Sequence, residues 1–137
     1  MERKSKIGKI AAFNLQEMLL ALLIIGILTL IALPKLMPLV AKAKSVEAQV
    51  QLKHLYNVQT TYRYMYSRFS MDFNDIDFEP PKTVKENGTS NYRYEILEAN
   101  NTHFKARATA ITDFDGDGTY NVWEIDENGA PKQITKD

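Results

Sequence analysis

The chain has 137 residues, with 17 basic and 17 acidic side chains, 45% hydrophobic residues and no cysteine. That length fits one ordinary domain, and the balanced charge gives no electrostatic footprint for nucleic acid. Without cysteine there is no disulfide, no thiolate nucleophile and no cysteine-ligated zinc or iron–sulfur site.

Charge is unevenly placed. Residues 1–12 carry Arg3, Lys4, Lys6 and Lys9 against Glu2, whereas residues 18–33 (MLLALLIIGILTLIAL) carry none. With Phe13 and Leu15 in front, the apolar run approaches the ~20 residues that a bilayer core requires. The basic start predicts a cytoplasmic N-terminus, which puts residues 35–137 on the far side of the membrane. A secretory signal peptide has the same basic-then-apolar order. Against that reading, the run ends in Leu33-Pro34-Lys35 with no small-residue cleavage site, and a carboxylate, Glu17, sits at its front. A soluble core helix is disfavoured because the run has no polar face.

The order of features is specific: a basic leader ending Ala11-Ala12, then Phe13-Asn14-Leu15-Gln16-Glu17, an apolar run containing Gly26, and Pro34 at its end. It resembles the prepilins of the type IV pilin and pseudopilin superfamily, most nearly a type IV major pilin. The resemblance implies that a prepilin peptidase removes residues 1–12 by cutting between Ala12 and Phe13, that Phe13 is then N-methylated, and that Glu17, Gly26 and Pro34 serve assembly. The family usually has Gly before the cut and Phe-Thr-Leu-Ile-Glu after it, where this chain has Ala12 and Asn14-Leu15-Gln16. By the same resemblance the protein is a single-pass inner-membrane precursor that becomes part of a periplasmic or extracellular filament. Its implied partners are copies of itself in a helical homopolymer, membrane lipid before assembly, and an inner-membrane assembly platform with its ATPase. No cofactor is implied as a requirement. A major pseudopilin of a type II secretion system is the neighbouring reading, and a monomeric membrane-anchored calcium-binding module is the reading from another class.

An ionised carboxylate at the bilayer centre costs roughly 2.5–3.5 kcal/mol on insertion scales. Cleavage before Phe13 would create an α-amino group with a reference pKa of about 8, mostly charged at neutral pH, to pair with Glu17 of a neighbouring subunit. Such a pair sets the axial register between subunits more than it adds stability. The local alternative is a helix-start box, with Asn14 as cap and Glu17 reaching back to it, worth about 1 kcal/mol.

Residues 39–66 contain no Pro or Gly and place Ala48, Leu52, Leu55, Tyr62, Met65 and Phe69 at helical spacing, with Val58 and Tyr66 flanking. Joined to the apolar run, they predict one helix from residue 13 to residue 66. Pro34 and Pro38 each remove a backbone hydrogen bond, which favours a bend, and Gly26 costs about 1 kcal/mol relative to Ala. Tyr56, Tyr62, Tyr64 and Tyr66 read as core and rim packing. Residues 67–91 read as a loop pinned by Phe69, Phe73, Ile76 and Phe78. Four short antiparallel strands are expected at 92–98, 103–111, 120–125 and 132–135, separated by Asn, Asp and Gly turn signals. The alternation of Ala106, Ala108 and Ala110 gives the sheet a small-residue face for the helix. The fold class is therefore α+β, in three parts: leader 1–12, transmembrane and assembly helix 13–38, and head 39–137.

Residues 113–124 (DFDGDGTYNVWE) match the EF-hand loop, with Asp113, Asp115, Asp117, Gly118 and Glu124 at its positions one, three, five, six and twelve. Ca²⁺ on Asp113, Asp115 and Asp117 is one reading. The other is a hairpin turn, because the flanks favour strands, and in a strand Asn121 and Glu124 point to opposite faces. Enzymatic chemistry finds little support: His54 and His103 are far apart in sequence, and there is no nucleophile elbow and no phosphate-binding glycine loop. Without residues 1–12 the chain has 13 basic and 16 acidic side chains, which argues against binding DNA by charge. The sequons at Asn87 and Asn100 read as loop chemistry.

Overall fold

A computed structural model describes residues 12–137, so the expected leader lies, Ala12 apart, outside the described residues. In chain order the elements are helix α1 (Leu15–Tyr66), a 3₁₀ turn (Val84–Glu86), and strands β1 (Tyr92–Ala99), β2 (Phe104–Ala110), β3 (Val122–Asp126) and β4 (Lys132–Thr135). The four strands form one antiparallel sheet in the order β1-β2-β3-β4, which makes the fold α+β. Helix α1 has 52 residues and continues through Pro34 and Pro38. By its internal contacts the chain divides between Lys35 and Leu36 into two units.

In the N-terminal unit, every described residue is exposed, although the helix from Met18 to Leu33 is almost wholly apolar. Its helical hydrogen bonds satisfy the backbone internally, which is the condition for crossing lipid. The Thr29 hydroxyl donates to the Ile25 carbonyl at 2.7 Å, so this one polar side chain in the run is also satisfied within the helix.

In the C-terminal unit, α1 buries Ala41, Ser45, Ala48, Leu52, Leu55, Gln59 and Tyr62, a stripe with alternating steps of four and three residues. The stripe packs in one core with Ala106, Ala108 and Ala110 of β2, Ile125 of β3, and Tyr92 and Tyr94 of β1. The alanines have little bulk, so the sheet can come close to the helix. Burying Leu52 and Leu55 completely contributes about 1.5–3 kcal/mol each. Two residues of the expected stripe fall outside it. Met65 is 64% exposed, and Phe69 is buried from the loop, because the helix stops at Tyr66. Ser67 ends it in the left-handed conformation, φ 57°, and its N–H still reaches the Arg63 carbonyl at 2.8 Å. Tyr64 and Tyr66 are exposed, while Tyr62 is buried and stacks on Tyr66 with ring centroids 4.5 Å apart.

The loop after α1 is held by Phe69, Ile76 and Phe78, all buried, with Phe73 packed against them. Its 3₁₀ turn starts at Thr83, whose backbone N–H donates to Glu86 Oε2 at 3.1 Å. A helix–loop clasp forms at Glu47, which accepts hydrogen bonds from Ser90 Oγ at 2.5 Å, the Asn91 backbone N–H at 3.0 Å and Asn91 Nδ2 at 2.9 Å. Gln59 makes a second tie: its amide donates to the Ser70 carbonyl at 2.6 Å and accepts the Ser70 N–H at 2.9 Å.

Candidate functional site

Asn14 precedes the first helical residue, and its carbonyl accepts the Met18 N–H at 3.1 Å. Glu17 reaches back so that Oε2 accepts the Asn14 N–H at 3.0 Å, the carboxylate half of a helix-start box. Only one oxygen is used this way, and the whole side chain is exposed. Phe13, immediately before, is 81% exposed. A freed amine at Phe13 would therefore sit within one helical turn of a carboxylate on the same exposed apolar surface.

Gly26 lies about two and a half turns further on, and beyond its own helix backbone nothing comes within 4 Å of where a Cβ would be, so tight packing inside the chain does not explain it. Pro34 lies two more turns along and is also exposed. The expected assembly residues are thus strung along one helix rather than gathered in a pocket. That arrangement suits contact with other helices and not the binding of a small molecule.

The aspartate turn joins β2 to β3. Carboxylate oxygens of Asp113, Asp115 and Asp117 lie within 4.8 Å of one another. Asp113 accepts the N–H groups of Gly116 and Gly118 at 2.6 Å and of Asp115 at 3.2 Å, and these bonds, Gly118 foremost, hold its pKa below the usual carboxylate range. Asp115 moves the other way, through desolvation and the charges of Asp117, Asp137 and Asp113. Positions nine and twelve of the EF-hand pattern are committed elsewhere. Asn121 is 1% exposed and accepts the Tyr92 hydroxyl at 3.1 Å, while Glu124 pairs with Arg107 across the β2–β3 ladder at 2.6 and 2.9 Å. The flanking elements are strands. The three aspartates fit a hard cation by donor type, whereas the complete EF-hand coordination set is not assembled.

His54 packs against Phe78, and His103 Nδ1 lies 3.1 Å from Glu127, so the two histidines belong to different environments. Sequence patterning missed Gln59 and Ser45, polar residues inside the helical stripe, and Glu47 beside it, because polar positions carry no hydrophobic period. Trp123 and Asp137 were missed as well, and each buries a polar atom, Nε1 and Oδ1, that has no partner among the described residues.

No family model matches the chain. Over 70 residues, 51% of this chain, the sequence is 37% identical to the type IV major pilin protein PilA of Myxococcus xanthus (strain DK1622). The match spans about a third of that relative's length, 32%. The relative is described as a pilin, which accords with a structural rather than an enzymatic chain. Long apolar helix, antiparallel four-stranded sheet and sequence similarity agree: the chain is pilin-like and resembles a type IV major pilin.

Proposed function

We propose that this protein is the structural subunit of a type IV pilus-like filament, inserted as a single-pass precursor with its N-terminus in the cytoplasm. A prepilin peptidase cuts between Ala12 and Phe13, and Phe13 is N-methylated. The subunit is then drawn from the inner membrane into a helical homopolymer by an assembly platform and its ATPase. The observation that carries this reading is the helix from Leu15 to Leu33, long and apolar enough to cross a bilayer, fully exposed, and interrupted by one carboxylate at its start. Lipid covers that surface before assembly, and the same surfaces of other copies cover it afterwards. Similarity to a major pilin supports a pilus over a secretion pseudopilus.

Within the polymer Glu17 meets the Phe13 amine of a neighbour and fixes the axial step, because leaving either charge dehydrated and alone costs several kcal/mol. Gly26 and Pro34 leave the stretch between them weaker as a helix, which would let it extend under load. Glu17→Gln tests the proposal cleanly. Glutamine keeps a side-chain oxygen for the Asn14 N–H, so the helix start survives while the charge is lost. The expected outcome is a processed, membrane-held subunit with no filaments recovered by shearing; filaments at the unaltered yield would refute the pairing.

A further inference from the structure

The sheet ends differently at its two edges. At the β4 edge a groove of about 490 Å³ lies between α1 and the sheet, lined among others by Leu39, Lys42, Trp123, Gln133 and Lys136. Its apolar lining is Pro38, Leu39 and Trp123, with Leu39 62% exposed, among polar neighbours that include Ser45, Gln49 and Asn121. The ammonium groups of Lys42 and Lys136 have no carboxylate partner among the described residues. Asp137 also lines the groove but is buried, with Oδ2 taken by the Phe114 N–H.

The opposite edge is β1, and the loop after α1 runs beside it: Met71, Asp72 and Asp75 lie near Ala99 and Asn100, and Pro80 to Thr83 lie near Arg93 and Tyr94. Residues 71–79 carry Asp72, Asp75, Asp77 and Glu79 and no basic residue, and all four acids are exposed. Asp72 and Asp75 are partly used, by Asn74 and by Ser70. Asp77 and Glu79 make no side-chain hydrogen bond or ion pair among the described residues. Met71, at the start of the segment, is 56% exposed.

We propose that the groove at the β4 edge receives the acidic segment 71–79 of a second copy of this chain. Met71 covers Leu39 and Trp123, while Asp77 and Glu79 face Lys42 and Lys136. The match is one of chemistry on both counts, apolar to apolar and uncommitted acid to uncommitted base, and surface area of one kind alone would not select this partner. Because the two patches lie on opposite edges of one sheet, the contact is heterologous: each copy offers one patch and keeps the other free, so the contact propagates instead of closing a dimer. The proposal rests on the filament reading and adds to it the head surfaces that fix the neighbour's orientation.

The test is a charge swap in the full chain, with sheared filaments as the readout. Lys42→Glu with Lys136→Glu, and separately Asp77→Lys with Glu79→Lys, should each lower filament yield about tenfold or more, since like charges then face each other. Carrying all four substitutions should restore it. A second measurement keeps every charge except the two replaced: the chain has no cysteine, so Lys42→Cys with Glu79→Cys should give an oxidation-dependent ladder of cross-linked subunits in sheared filaments. Unaltered yield from both paired reversals, or filaments without a ladder, would overturn the docking and leave the filament reading standing. An unaltered chain that makes no filaments at all would overturn both.

Discussion

A carboxylate on an apolar helix costs free energy wherever water is excluded, and Glu17 offsets only part of this by accepting the Asn14 N–H. Its second oxygen and its charge stay available for a partner outside the chain. The aspartate turn is different, since Asp113 already has three backbone donors and Glu124 is held by Arg107. Titration of the full chain in detergent with Ca²⁺ should therefore give no heat at millimolar concentration; a saturable heat lost in Asp115→Asn would instead assign a cation to Asp113, Asp115 and Asp117. Burial foremost, and next the charge of Glu47, push the hydroxyls of Tyr92 and Tyr94 well above their ordinary pKa. In the unfolded chain both ionise near pH 10. Above that pH the folded chain holds protons that the unfolded chain has released, so stability is intact below about pH 10 and falls as the pH rises past it. The melting temperature of the full chain in detergent should drop steeply there, and less steeply in Tyr92→Phe.

At the scale of elements, the C-terminal half of α1 is fixed by a stripe that mixes leucines with small and polar residues. Gln59→Ala would leave the Ser70 N–H and carbonyl without their amide partner and open a void, so a loss of about 2–4 kcal/mol is expected in denaturant unfolding. The β3–β4 turn carries a sharper constraint. Gly129 has φ 74°, and a Cβ there would come within 2.6 Å of the Tyr56 ring. Gly129→Ala should cost about 1–3 kcal/mol, read as a lower melting temperature, with Gly88→Ala as a second crowded position to compare. The existence of the four strands was legible in the sequence, because alternation in residues 104–110 and the Asn-Gly turn at 128–129 are short-range signals; their order in the sheet comes from the structure. The helix end at residue 66 was legible as well, since the loop composition begins at once after it, and α1 stops at Tyr66. The facing of its last turn was not: periodicity places Met65 in the stripe, yet Met65 is exposed and the left-handed Ser67 turns the chain so that Phe69 is buried from the loop. The 3₁₀ turn at Val84–Glu86 was hidden, being held by one Thr–Glu box with no hydrophobic period.

Over the whole molecule, the sequence separates what the chain buries by itself from what it leaves for others. Residues 36–137 gather one buried apolar core, whereas residues 15–33 bury no side chain. Glu17, Gly26 and Pro34 stand out in the sequence as an acid, a glycine and a proline in an otherwise apolar run, while their role in assembly is what the resemblance implies. The head surfaces do not stand out, since a lysine on α1 and another after β4 become neighbours only when the sheet closes on the helix. This exposed helix, once freed of its leader, is proposed as the core of a polymer, and the intact mass of subunits from sheared surface filaments is the decisive measurement. The expected mass is that of a subunit that begins at Phe13 and carries one extra methyl group; a chain that still begins at Met1 and remains entirely in the membrane fraction would refute the polymer core.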